Sequence, residues 1–172
     1  MFKSPQVFFR VNVKSIETTS KFQNFYVRLN VMHGVEWQSS NPRNSFDTFV
    51  VESSSDSSIH FDFQFELNYV IKDIRGWPRL VVEIFGYDKD RSKSSCIGYG
   101  TSILPLEAKT HNIDIPLVSP IVPGTSYPSL QKLDLLVLSQ NRFGMEMKSV
   151  GCLSLEISTS TKDFDVNGIE AS

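Results

Sequence analysis

Cysteine is scarce in this chain of 172 residues, with Cys96 and Cys152 as its only two. Two thiols cannot build the dense disulfide framework of a small secreted domain, and no Asn-x-Ser/Thr acceptor occurs in the sequence. The opening Met1-Phe2-Lys3-Ser4-Pro5 runs straight into Val7-Phe8-Phe9-Arg10, too short an apolar stretch for a secretory signal. Both cysteines are therefore expected as reduced, packed thiols in a cytoplasmic protein. Long hydrophobic runs are missing as well. A membrane-crossing helix needs roughly 18 or more consecutive apolar residues, so any membrane contact is expected to be peripheral. Charge of one sign is not in excess, with 17 Lys plus Arg against 19 Asp plus Glu. Without a basic block the electrostatic footprint of nucleic-acid binding is absent.

Catalytic motifs are missing too. His33, His60 and His111 are scattered over different segments. There is no G-x-S-x-G elbow, no phosphate-cradling glycine loop and no H-E-x-x-H pair. His60 and Asp62 share a strand face with Gln64 and Glu66, which is what a solvated face requires. The composition nominates no catalytic residue and no cofactor, and an enzyme is not expected.

What the chain does have is a period of two. Ile59, Phe61, Phe63, Phe65 and Leu67 alternate with His60, Asp62, Gln64 and Glu66. Successive strand side chains point to opposite faces, so one face of this segment is buried and the other wet. Val7 to Val13, Phe25 to Val31, Leu80 to Ile84, Ile97 to Ile103, Ile113 to Leu117 and Leu153 to Ile157 repeat the pattern. In the Ile97 segment the inward face is read as Ile97, Tyr99, Thr101 and Ile103. Thr48 to Glu52 is a weaker candidate. About eight strands punctuated by turn residues predict an all-β antiparallel sandwich, a single domain over 1–172 with its core at about 7–170. An insertion from about Ser119 to Ser149, opened by Pro120, Pro123, Gly124 and Pro128, precedes the last strand. Leu130 to Leu138 inside it is a helix or an extra strand, since a structureless loop that long is uncommon.

Strand Leu80 to Phe85 ends in Gly86-Tyr87-Asp88-Lys89-Asp90, and Cys96-Ile97-Gly98 opens the next. This resembles the aspartate-rich loop of C2 domains, β-sandwiches of which many bind calcium and anionic lipid. Calcium takes six to eight oxygens, so several carboxylates must converge. Here Ser94-Ser95 replace one expected aspartate, Asn24 stands at another, and Glu17 is the only acid in the facing turn. Asp88 and Asp90, beside Lys89, Arg91 and Lys93, leave the site under-charged, and no calcium binding is expected.

Gly34-Val35-Glu36-Trp37, Gly76-Trp77-Pro78-Arg79-Leu80, Gly98-Tyr99-Gly100, Lys162-Asp163-Phe164 and Gly168-Ile169-Glu170 follow one another in a recognisable order. In order and spacing they resemble the B9 domain family, C2-related sandwiches of ciliary proteins, over roughly Phe8 to Glu170. Val7 to Val13, the Tyr26 strand with Gly34-x-x-Trp37, and Leu130-Gln131-Lys132 look like one member of that family. The ending Phe164-Asp165-x-x-Gly168-Ile169-Glu170 looks like another. The resemblance implies a non-catalytic scaffold of the ciliary transition zone that binds other B9 domain proteins and membrane-spanning partners. It implies a place at the cilium base, a part in ciliogenesis and in the ciliary diffusion barrier, and neither a cofactor nor nucleic acid as ligand. The signature residues Gly34, Trp37, Gly76, Trp77, Pro78, Gly98, Tyr99 and Gly100 are read first as architecture. Trp37 and Trp77 either cap the core or anchor a partner. Gly98 and Gly100 leave a bare strip for which Trp77 is the expected occupant. Leu133, Leu135, Leu136 and Leu138 of the insertion form a candidate partner surface, or else fold back onto the sandwich. The alternative function is a calcium-independent phospholipid-binding module using Lys89, Arg91 and Lys93.

Overall fold

The structure is a computed structural model that describes residues 3–54, 58–121 and 145–169. Its described strands are β1 (Gln6–Thr18), β2 (Asn24–Met32), β3 (Trp37–Ser39), β4 (Ser45–Asp47), β5 (Val51–Glu52), β6 (Ser58–Ile71), β7 (Arg79–Asp88), β8 (Lys93–Ile103), β9 (Thr110–Pro120) and β10 (Met147–Lys162). All neighbours with an extended ladder run antiparallel, in the order β3-β6-β1-β10-β9-β8-β7-β2-β4, with β5 also on β2. The path folds into two layers. Between β8 and β9 the ladder is reduced to one pair, Tyr99 with Val118. On the far side the layers meet through side chains, where Phe46 of β4 stacks on Phe65 of β6 with ring centroids 4.1 Å apart.

The alternation does what it implied. Val7, Phe9, Val11 and Val13 of β1, Phe25, Val27, Leu29 and Val31 of β2, and Leu153, Leu155 and Ile157 of β10 are buried in one cluster. Burying each such side chain contributes about 1.5–3 kcal/mol, which makes this cluster the main source of stability. The weak candidate at Thr48 to Glu52 is broken at Thr48. Its hydroxyl accepts the Val27 N–H (3.0 Å) and donates to the Phe49 carbonyl (3.0 Å), taking the place of a ladder bond. Short strands β4 and β5 flank it, and β3 adds another strand that period-two reading cannot detect in three residues.

One strand departs from expectation. Phe85 pairs with Cys96 and Ile84 with Gly98, so Ile97 is a bulge residue. An extra residue inverts the inside–outside phase beyond it. Ile97 remains in the core, whereas Tyr99 joins Val81 in a separate cluster with Met32 and Cys96. Ile103, expected inside, is 52% exposed. Gly98 and Gly100 take the inward positions, but Trp77 does not fill their strip. A Cβ on Gly98 would strike Val150 Cγ2, and one on Gly100 would lie 2.6 Å from Ile115 Cγ2. Those two side chains, from β10 and β9, occupy the space.

At one end of the sandwich the signature residues meet. The Gly34 N–H donates to the Gly76 carbonyl at 2.8 Å, and Gly76 adopts φ 71°. A Cβ on Gly76 would come within 2.5 Å of the Gly34 Cα, so the two backbones touch as only glycines allow. This contact sets the loops on which Trp37 and Trp77 sit, 4.6 Å apart at 77°. Trp37 Nε1 donates to the Arg75 carbonyl (3.0 Å) and Trp77 Nε1 to the Leu104 carbonyl (2.8 Å). Phe9 and Tyr69 complete the cluster in edge contacts, and burial pushes the Tyr69 hydroxyl up to about 12. Pro78 stands immediately before β7, where its missing N–H costs no ladder bond, and its carbonyl accepts the Leu104 N–H at 3.1 Å.

On the outward face of β2 and β7, Arg28 holds Asp47 through two N–H bonds of 2.8 and 2.9 Å, while Asn30 donates to Glu83 at 3.0 Å. The guanidinium keeps the Asp47 carboxyl below its ordinary range. Glu83 goes the other way, raised above its ordinary 4.5 chiefly by burial.

Two outcomes follow. Gly76→Ala meets both the left-handed φ and the Gly34 backbone and costs at least about 2 kcal/mol in urea unfolding. Gly168→Ala, with φ 68° but nothing within 4 Å of its Cβ, costs only about 1 kcal/mol. Glu83 binds its proton more readily folded than unfolded, so its share of stability is present below its ordinary value of 4.5 and is lost as pH rises from there through its raised folded value. Glu83→Gln is therefore expected to raise the melting temperature at about pH 7, with the gain shrinking below about pH 4.

Candidate functional site

Only one side of Trp77 is packed against Phe9 and Trp37. On its other side lies an open hollow of about 590 Å³, lined by Ile74, Trp77, Ile103, Leu104, Pro105, Leu106, Gly168 and Ile169. Three segments build it: the β6–β7 loop, the end of β8 with the chain that follows, and the carboxy-terminal turn. The turn is positioned by Phe164, buried at 3% exposure, whose carbonyl accepts the N–H groups of Asn167 (2.9 Å) and Ile169 (3.2 Å). Asn167 Nδ2 ties it to the Lys3 carbonyl at 3.0 Å. Among the described residues no lining residue is charged. Ile74 (54% exposed), Ile103 (52%) and Leu106 (38%) leave much of their apolar surface in water. Exposed apolar residues are ordinary when scattered; gathered around one concavity they make it a candidate recognition site.

The residues nominated from sequence fall in three places. Gly34, Trp37, Gly76, Trp77 and Pro78 converge behind the hollow, and the Gly168-Ile169 segment lines it. Gly98, Tyr99 and Gly100 sit along β8, away from it. Leu133, Leu135, Leu136 and Leu138 lie outside the described residues. The insertion leaves β9 and enters β10 at adjacent points, with Pro120 opposite Met147 and the Ile121 N–H on the Glu146 carbonyl at 2.8 Å. Sequence reading missed Ile74, Ile103 and Leu106. The signal for Ile103 was in the chain but inverted, because the bulge at Ile97 reverses which side of β8 it faces.

Asp88 and Asp90 lie at the opposite end, in the β7–β8 hairpin. Asp88 Oδ1 accepts the N–H groups of Asp90 (3.0 Å) and Arg91 (3.2 Å), so the carboxylate caps its own turn. Arg91 lies 3.8 Å from Asp88, and Lys89 lies 3.7 Å from Glu52. Lys89 and Arg91 thus each face a carboxylate of the same chain, whereas among the described residues no ion pair is recorded for Lys93, the third basic residue nominated for anionic lipid. Among the described residues no group of three or more His, Cys, Asp or Glu is arranged to hold a metal ion. His60 and Asp62 are both exposed and straddle a register shift of β6 at which Asp62 adopts φ 47°. His33 Nδ1 lies 2.9 Å from the Gly34 carbonyl, and His111 Nε2 lies 2.9 Å from that of Glu107. Both imidazoles thus have a backbone partner, and the His33 ring meets the Tyr69 ring edge-on with centroids 5.1 Å apart. Cys96 and Cys152 are free, and burial pushes the Cys96 thiol up to about 11, which makes it a poor nucleophile at neutral pH. No helix among the described residues is long and apolar enough to cross a membrane.

Comparison with known proteins is consistent with this geometry. The family model described as "Ciliary basal body-associated, B9 protein" (B9-C2) matches residues 7–160. B9 domain-containing protein 2 of Bos taurus is 26% identical over 114 residues, 61% of this chain and 65% of that protein. The match to this chain thus spans just under two thirds of the bovine relative. B9 domain-containing protein 2 of Drosophila melanogaster is 23% identical over 158 residues, 86% of this chain and 88% of its own. The Homo sapiens protein of the same name is 25% identical over 114 residues, 61% of this chain and 65% of its own. These relatives carry the name protein 2, whereas the start of the chain resembles B9 domain-containing protein 1, so the comparisons support the family and not that member. With a match over nearly all of its strands, this chain belongs to the B9 family of ciliary basal body-associated proteins.

Proposed function

We propose that the chain is a non-catalytic scaffold subunit of the ciliary transition zone complex, of the Meckel syndrome and tectonic type. In this reading it works on the cytoplasmic side of the cilium base. It binds other B9 domain proteins and transition-zone membrane proteins, and serves ciliogenesis and the diffusion barrier that decides which membrane proteins enter the cilium. Membership in a basal body-associated family supports the location. The observation that supports this mode of action is the hollow beside Trp77, whose described lining is uncharged and holds no residue that moves a proton or attacks a carbonyl. The scattered histidines and the self-capped Asp88 point the same way.

Affinity capture of the tagged chain from ciliated cells, read by mass spectrometry, is expected to recover other B9 domain proteins together with membrane proteins of the cilium base. Recovery of neither class would sink the reading. Calorimetric titration with calcium is expected to show no heat above weak background. A micromolar dissociation constant would instead place a metal site at Asp88 and Asp90.

A further inference from the structure

At the pole away from Trp77 a bulge turns a lysine onto the inner face of the sandwich. Ile115, Leu117 and Ser119 of β9 alternate onto that face, and Ser119 is only 3% exposed. In β10, Leu153 and Leu155 point inward, and strict alternation would carry Ser149 in and Lys148 out. Val150 breaks the count. It stands as an extra residue between Gly151, opposite Leu117, and Ser149, opposite Val118, so the phase reverses beyond it. Lys148 therefore lies opposite Ser119, on the same face of the ladder. The bulge is held from β1, where the Val150 carbonyl accepts the Thr18 hydroxyl at 2.9 Å and the Thr19 N–H at 3.2 Å.

Beside this bulge a recess of about 250 Å³ opens, next to the place where β8 and β9 share a single pair. Ile97 and Val150 give it an apolar wall. Lys148, Lys21 of the β1–β2 loop and the hydroxyls of Thr19, Ser20, Ser119 and Ser149 supply the rest of its described lining, and no carboxylate is among them. Lys21 and Lys148 form no ion pair with a described residue, and the Ser119 hydroxyl forms no hydrogen bond with one. Lys21 also borders the neighbouring hollow of Asp88 and Asp90, again without an ion pair to a described residue.

Two ammonium groups bordering one recess favour an anion there. Lysine binds phosphate as a point charge. A phosphate monoester brings about 1.5–2 negative charges and three strong acceptor oxygens, which matches two lysines and a set of hydroxyl donors. A carboxylate or a phosphodiester brings less charge and leaves one lysine uncompensated. The recess is smaller than the roughly 300–1,000 Å³ of sites for drug-sized ligands, so it takes the charged head of a molecule and not its body.

We propose that this recess is a binding site for a phosphate monoester, with Lys21 and Lys148 as counter-charges and Ser119 as a buried donor. A free phosphate monoester and a lipid headgroup such as that of phosphatidic acid present the same chemistry. The proposal goes beyond the scaffold reading and does not rest on it.

The test is an NMR titration of the full-length chain with glycerol 3-phosphate, set against acetate at the same ionic strength. Saturable shifts of the Ser119 and Lys148 amides are expected with the phosphate alone. Lys21→Ala and Lys148→Ala are each expected to weaken binding about tenfold or more. Both side chains are exposed, so the thermal melt in phosphate-free buffer stays unchanged. Ser119→Ala, which keeps both charges, is expected to weaken binding several-fold. Lys14→Ala, whose ammonium already faces Glu156 at 3.7 Å, leaves binding intact. Absence of a saturable shift, an equal response to acetate, or indifference to both lysine substitutions overturns the proposal. Co-sedimentation with phosphatidylcholine vesicles containing phosphatidic acid, or the same fraction of phosphatidylglycerol, assigns the source. Binding that prefers phosphatidic acid and falls in Lys148→Ala places the monoester on a lipid. Saturable glycerol 3-phosphate binding with no vesicle binding places it on a soluble ligand.

Discussion

The approach of Gly34 to Gly76 governs one whole end of this molecule. Two loops distant in sequence are brought so close that their backbones share a hydrogen bond with no side chain between them. Everything at that end is referred to this contact. It sets the spacing of the two indoles, the direction of Trp77 Nε1 toward Leu104, and through Leu104 the path of the chain after β8. A Cβ at either glycine would meet the backbone of the facing loop.

Trp77 is therefore both core and surface. Packing and partner binding were set against each other as alternative roles for the two tryptophans, and the structure shows packing for both: Trp37 is sealed at 2% exposure, whereas Trp77 packs on one side and lines the hollow on the other. The ring is anchored by its polar edge and by aromatic neighbours, so its exposed face holds its position in water.

The strands were legible because they are long and half-buried. Val7 to Val13 and Phe25 to Val31 each carry enough alternations to fix both type and inward side, and the core confirms them. β8 was legible as a strand but not in phase. The step from Ile97 to Gly98 looks like any other in sequence, and only pairing with Phe85 and Ile84 reveals the extra residue. The hollow was invisible for a related reason. Ile74 and Leu106 sit in loops where no period constrains them, and Ile103 was assigned to the core by the uncorrected alternation. Their convergence is a property of topology. By contrast, the missing third carboxylate near Asp88 and Asp90 is visible in the sequence itself, and the structure adds that Asp88 Oδ1 caps its own turn.

The long connection between β9 and β10 departs and returns at neighbouring points on one ladder, at the end of the sandwich away from the hollow. Chain added between two such points strains no strand, and each doubling of its length costs only about 0.6 kcal/mol in closure entropy. The β9–β10 hairpin is thus a tolerant socket: its contents can be lengthened, shortened or exchanged while the opposite pole keeps its shape. Two poles with separate tolerances let one small body acquire different attachments at one end without renegotiating the other.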